Sequence, residues 1–195
     1  EDYGVILTAI DAGASLPDQA AYDAWRDRQD PGWLRSFHKG FYRVRTALSE
    51  SDPVGWRALM GPYPPLPAAL RRNAGGVVLA IATAKDRRSV GMLLETYGIA
   101  DLFPEGRVLD KETGVSKAEH LVHLHGALGI PYAEMTFVED KVNHLDSVAH
   151  LGVRCALAAW GYNGERERRH ARARGYLVCT LEDFERRLFA DAAAG

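Results

Sequence analysis

The spacing of apolar positions changes along this chain on either side of a proline-rich stretch, Gly61-Pro62-Tyr63-Pro64-Pro65-Leu66-Pro67. Before it lie helical segments rich in aromatic and charged residues, notably Ala20 to Gln29 and Trp33 to Leu48, separated by the turn signal Asp30-Pro31-Gly32. After it come short apolar runs: Val77 to Ala82, a stretch around Arg107 to Leu109, Met135 to Val138, Val153 to Ala158, and Tyr176 to Cys179. Amphipathic segments separate these runs, one carrying Leu93, Leu94 and Tyr97 and another Leu121, Leu124 and Leu128. Strands alternating with helices predict an α/β fold, a parallel sheet with helices on both faces. The expected organisation is a small α-helical cap at 1–61, or in part a first strand, followed by an α/β core at 62–195. No internal repeat is visible, and the one biased tract is the alanine-rich tail after Asp191.

Several of the apolar runs end in residues with chemistry. Thr136-Phe137-Val138 leads into Glu139-Asp140, two adjacent carboxylates at a strand's carboxyl end. Ligands of open α/β sheets bind there, and paired oxygen donors suit a hard divalent ion such as Mg²⁺. The run Val77 to Ala82 passes through Thr83, Ala84 and Lys85 into a helix, placing a hydroxyl where it can hold a phosphate oxygen. Gly114-Val115-Ser116-Lys117 puts an ammonium in the first turn of the next helix, beside its free N–H groups. Taken singly, each has an ordinary structural explanation: a turn or N-cap for the acids, a strand end for Thr83, a surface lysine for Lys117. Their order and shared placement at strand ends set them apart.

These residues, within "PYPPLPAALRR", "LAIATAKDRRSVGMLLETYGIADLF", "SKAEHL" and "FVEDKVNHLDSVAHLGVRCALAAWGY", resemble the haloacid dehalogenase superfamily of aspartate-nucleophile phosphohydrolases. The likeness covers roughly Pro62 to Phe189. It implies a Rossmann-like core and a Mg²⁺-dependent phosphatase of a small phosphorylated metabolite, with phosphoglycolate-like or sugar phosphates as analogies. Thr83 matches the Ser/Thr that binds the transferring phosphoryl group, with Ala84 and Lys85 beside it as substrate-binding residues. Lys117 matches the third-motif lysine. Glu139 and Asp140 match the acids that hold Mg²⁺. Asn143 falls where many members have a polar residue supporting that loop, and His144 departs from members that have another Asp there. Asp146 reads as a helix-surface residue and not its replacement.

The family's first motif, Asp-x-Asp-Gly-Thr/Val, supplies nucleophile and general acid/base, and no Asp-x-Asp occurs at the amino end of this chain. Two expectations follow. In one, the first strand and motif precede Glu1, and Tyr3, Ile6, Leu7 and Ile10 form one face of a helix that stops near Gly13. The absence of an initiator Met agrees with this. In the other, Val5 to Ile10 is the central strand and Asp11 sits at the nucleophile position of a decayed motif, with Gly13 in place of the acid/base aspartate. Loss of that partner costs about 10²- to 10⁴-fold in rate. A catalytically inactive relative that binds a phosphometabolite or protein partner is the corresponding alternative. Dehalogenase or phosphonatase chemistry is a third; Lys39 is the single candidate for a phosphonatase's cap lysine.

Composition narrows the classes further. With 195 residues, 47% hydrophobic and 26% charged, the chain can bury one core and a smaller lobe. A net charge of −2 argues against a nucleic-acid partner, and no apolar run approaches the roughly 20 residues that span a bilayer. Cys155 and Cys179 lie in apolar surroundings typical of buried reduced thiols, which makes a cytoplasmic location the default. The histidines at 120, 123 and 125 lack the His-Glu-x-x-His pattern and read as a solvated helix face. The segment Glu165 to Arg174 mixes acids with bases and reads as an exposed helix. Trp25, Trp33, Phe37, Phe41 and Tyr42 read as cap packing, with a substrate-pocket lining as the alternative.

Overall fold

Aspartates start most of the early helices. In the computed structural model, which describes residues 2–110, 112–114 and 116–189, the amino-terminal elements are α1 (Asp2–Asp11), α2 (Gln19–Arg26), α3 (Pro31–Ser51) and α4 (Pro53–Ala58). Asp18, Asp30 and Asp52 each accept a first-turn backbone N–H, from Ala21, Trp33 and Gly55. Proline follows the last two caps at the first helical position, where its missing N–H has no cost. Val115 of the run before Lys117, and the alanine-rich tail, lie outside the described residues.

Val5 to Ile10 lies inside α1, so the alternative in which it forms a central strand is not the conformation adopted. Asp11, which that alternative placed at a strand end, closes a helix instead. The stop comes at Gly13, whose φ of 63° places it in the left-handed region while Ala14 N donates to Ala9 O at 2.8 Å. Within this unit, which ends at Met60, Val5 and Ala9 are buried, and a side chain on Gly4 would press on the Phe37 ring. Tyr3, Phe41, Phe37 and Trp33 form a stacked row, and Trp25 Nε1 donates to Thr8 Oγ1 at 3.0 Å.

The second unit starts at Gly61. It comprises α5 (Pro65–Asn73), β1 (Ile81–Ala82), α6 (Arg87–Thr96), β2 (Val108–Leu109), α7 (Lys117–Leu128), β3 (Thr136–Glu139), α8 (Val142–Val148), β4 (Arg154–Ala158), α9 (Glu165–Ala173), β5 (Leu177–Cys179) and α10 (Phe184–Leu188). Every ladder is parallel, in the orders β1-β2 and β3-β4-β5. One face packs Phe137, Cys155 and Leu157 against Leu121, Leu124, Leu145, Val148 and Ala171 of α7, α8 and α9. On the other face Cys179 meets Ala69 of α5 and Phe184 of α10. Helices therefore cover both faces, the Rossmann-like α/β arrangement.

Two expectations need correction. The apolar run Val77 to Ala82 pairs only at Ile81 and Ala82, and Val78 is 48% exposed. Its partner β2 is two residues long, and no strand pairs with its other side among the described residues. His120 is buried, not solvated: its ring packs on Gly114, where a side chain would crowd it, and its Nε2 lies 3.1 Å from Asp110 O. His123 is exposed as expected.

Candidate functional site

The carboxyl ends of β1 and β3 converge on one ammonium. Lys117 is the first residue of α7, fixed there by a capping box in which Ser116 Oγ accepts from Glu119 N and Glu119 Oε2 accepts from Ser116 N. Its Nζ donates to Ala82 O at 2.6 Å and stands 3.6 Å from Glu139 Oε2. Both side chains are largely buried, which leaves this pair less screened than a surface ion pair. β1 and β3 do not pair with each other, yet Ala82 packs on the same core as Phe137. The Ala82 carbonyl that Lys117 takes belongs to the unpaired side of β1, because Ile81 N and Thr83 N both donate toward β2.

Thr83 follows β1, its N–H donating to Leu109 O at 2.8 Å. Its Oγ1 accepts from Lys85 N at 3.1 Å, closing a turn that leads through the Asp86 N-cap into α6. Accepting that bond leaves the hydroxyl proton available for donation. Ala84 and Lys85 form the exposed part of this turn.

At the end of β3, Glu139 Oε1 accepts from Asp140 N and Lys141 N, at 3.2 and 3.4 Å. His144 Nδ1 lies 3.3 Å from Glu139 Oε2, at ion-pair distance but without hydrogen-bond geometry. Asp140 turns toward the loop after β4, where Tyr162 N donates to its Oδ2 at 2.9 Å. Burial opposes its ionisation, but hydrogen bonding, including that from the Tyr162 N–H, outweighs it and holds the carboxyl below its usual range. A side chain on Gly161 would run into Asp140. Asn163 Nδ2 braces the loop on Asp140 O and Ala158 O, and Arg168 Nε holds Asn163 Oδ1 at 2.9 Å.

Glu139 and Asp140 thus offer adjacent hard oxygen donors that fit a Mg²⁺-type ion. Among the described residues no group of three His, Cys, Asp or Glu side chains could hold a metal, so the pair would form only part of a ligand set. Asp11 lies in the first unit, and Asp146 is occupied elsewhere, accepting from Tyr176 OH at 2.7 Å and lying 2.9 Å from His170 Nε2. Sequence reading missed Gly161, Asn163 and Arg168, which support Asp140, and Asp110. The Asp-x-x-Thr spacing of Asp110 and Thr113 was a readable turn signal; the brace on Asp140 had none, since it spans two strands.

The fold and these strand-end residues describe an α/β protein in which a hydroxyl-bearing turn and a lysine stand near a pair of adjacent carboxylates. No protein-family model matches the chain. In sequence it is similar to the phosphoglycolate phosphatase of Yersinia pseudotuberculosis, 32% identical over 127 residues that cover 63% of this chain and 52% of that protein. The match therefore spans about half the length of that relative. In fold it is similar to the crystal structure of a predicted phosphoglycolate phosphatase from Haemophilus somnus, with a TM-score of 0.58 at 21% identity, over 92% of this chain and 72% of that one. Among the described residues no helix is long and apolar enough to cross a membrane.

Proposed function

We propose that the chain carries the phosphate-facing and cation-facing parts of a phosphatase that hydrolyses a small phosphorylated metabolite through an aspartyl-phosphate. The observation that carries this reading is Lys117, held between the unpaired carbonyl of Ala82 and the carboxylate of Glu139. A cation so placed offsets the charge of a phosphoryl group and of an attacking carboxylate. Thr83 donates to a phosphoryl oxygen, and Ala84 and Lys85 complete the turn around it. Glu139 and Asp140 hold Mg²⁺, which would neutralise phosphoryl charge when bound. Most of the rate enhancement is then positioning and electrostatic stabilisation.

On this reading the attacking aspartate stands beside Lys117, where the ends of β1 and β3 converge. The names of the similar proteins make phosphoglycolate the first substrate to assay. The test is release of inorganic phosphate by the native polypeptide across a panel of small phosphate esters, with Mg²⁺ and with a chelator. Mg²⁺-dependent turnover of at least one ester is expected. Saturable binding without turnover would replace the enzyme with a phosphometabolite-binding protein.

A further inference from the structure

Asp110 is a carboxylate with no exposed surface, and nothing in the proposed chemistry touches it. It follows β2 directly. Its Oδ1 accepts from Glu112 N, Thr113 N and Thr113 Oγ1 at 3.0, 3.2 and 3.1 Å, which shapes the loop toward Lys117. Its Oδ2 accepts from Arg87 Nε at 2.6 Å. Arg87 opens α6, four positions after Thr83. The main-chain oxygen of Asp110 contacts His120 Nε2, three positions after Lys117. Leu109, just before it, accepts from Thr83 N. One residue therefore grips the Thr83 side through its carboxylate and the Lys117 side through its carbonyl.

We propose that Asp110 is a positioning residue that sets the distance between the Thr83 turn and the Lys117 ammonium, and so the affinity of the site for a phosphoryl group. The proposal rests on the phosphatase reading for its ligand and on geometry alone for the tether. A whole buried ion pair can be replaced by apolar packing at little cost, whereas a carboxylate removed alone leaves its donors unsatisfied. Here it joins two segments that carry the anion-facing groups.

Asp110→Asn separates the two roles. The amide keeps Oδ1 as acceptor for Glu112 and Thr113, but its NH₂ faces the Arg87 donor, so the turn survives and the link to α6 breaks. Adding Arg87→Gln restores a neutral hydrogen bond between the two side chains. Inorganic phosphate affinity of the native polypeptide, by calorimetry, is expected to fall about tenfold in D110N, the scale of one lost charged hydrogen bond, and to recover in D110N/R87Q. Amide exchange in 84–89 and 117–121 is expected to quicken together in D110N and to slow again in the double variant. If the wild type binds no phosphate, the phosphatase reading falls, and the exchange data alone decide the tether. Unchanged exchange in both segments, or phosphate affinity in D110N within about twofold of wild type where wild type binds, overturns the proposal.

Discussion

Two cations donate to carbonyls on sheet edges, and their surroundings differ. Arg187 of α10 donates from Nη1 to Val178 O at 2.8 Å, on the outer side of β5. Lys117 does the same for Ala82 O on β1. Arg187 has its counter-charge, Asp183, 3.4 Å away and four positions back, in a partly exposed pair. Its role is complete: a capped edge is closed to another strand. Lys117 instead faces Glu139 across the interval between β1 and β3, largely buried. Beside that interval, Val138 is 39% exposed, whereas both faces of β4 at Ala156 and Leu157 are fully covered. The same hydrogen bond satisfies an edge carbonyl in both places, but at Lys117 it also brings the cation to a largely buried carboxylate from a different strand.

The largest effect that separates the two is on turnover. Lys117→Ala is expected to lower kcat of the native polypeptide by about 10³-fold or more, the scale of a lost preorganised charge partner. Arg187→Met should leave kcat unchanged. Arg187→Met should lose about 1 kcal/mol of stability for one hydrogen bond, and Lys117→Ala more, because it leaves the largely buried Glu139 carboxylate without its cation; urea midpoints read both. Wild-type turnover in Lys117→Ala would remove Lys117 from the site and leave it an edge cap like Arg187.

Next in size is the seat of Asp140. Gly161→Ala introduces a Cβ into the Asp140 side chain and displaces the carboxylate from Tyr162 N. Disturbing groups that orient a metal-holding carboxylate costs about 10- to 100-fold in metal affinity. Mn²⁺ binding followed by electron paramagnetic resonance reads this directly, without turnover. No binding in the wild type would break the cation reading of Glu139 and Asp140, and unaltered binding in the variant would detach the 161–163 loop from it.

How much of this was legible depends on what holds each part together. The strand-helix alternation was readable because burial imposes a period: Met135 to Val138 and Val153 to Ala158 appear close to the expected bounds as β3 and β4. Thr83, Lys117, Glu139 and Asp140 were readable as candidates because each sits at an element boundary, where sequence signals such as the Ser116 capping box are local. That Lys117 bridges Ala82 O and Glu139 was not, since it depends on which strands fail to pair. Nor was the burial of His120, because three histidines in one helix look equally solvated until Gly114 makes room for one ring.

Acid stability tests the Asp110 link between β2 and α6 more gently. The Arg87 guanidinium, by its hydrogen bond, holds the Asp110 carboxyl below its ordinary value despite burial. A carboxyl with a depressed folded value contributes stability that is full above its unfolded titration and is lost as pH falls through the folded one. The wild-type urea midpoint should therefore drop more between about pH 6 and pH 3 than that of Asp110→Asn, which has no proton to take up there. Equal slopes would mean that Asp110 gains nothing from Arg87 in solution.

The smallest expected effect lies at the protected edge. Arg187→Met keeps an unbranched aliphatic stem beside Val178 but removes the donor to Val178 O and the charge opposite Asp183. Asp183 keeps its bond from Thr180 N at 2.7 Å, so the turn before α10 should persist. The loss should stay near the roughly 1 kcal/mol of one hydrogen bond, since surface pairs add little. A second consequence is kinetic: β5 then offers an uncapped carbonyl to other chains, and light scattering at high concentration should rise sooner than in the wild type. If Arg187→Met is as soluble as the wild type, the edge is guarded by the helix around it and not by the arginine, and the likeness between Arg187 and Lys117 ends at the shape of their hydrogen bonds.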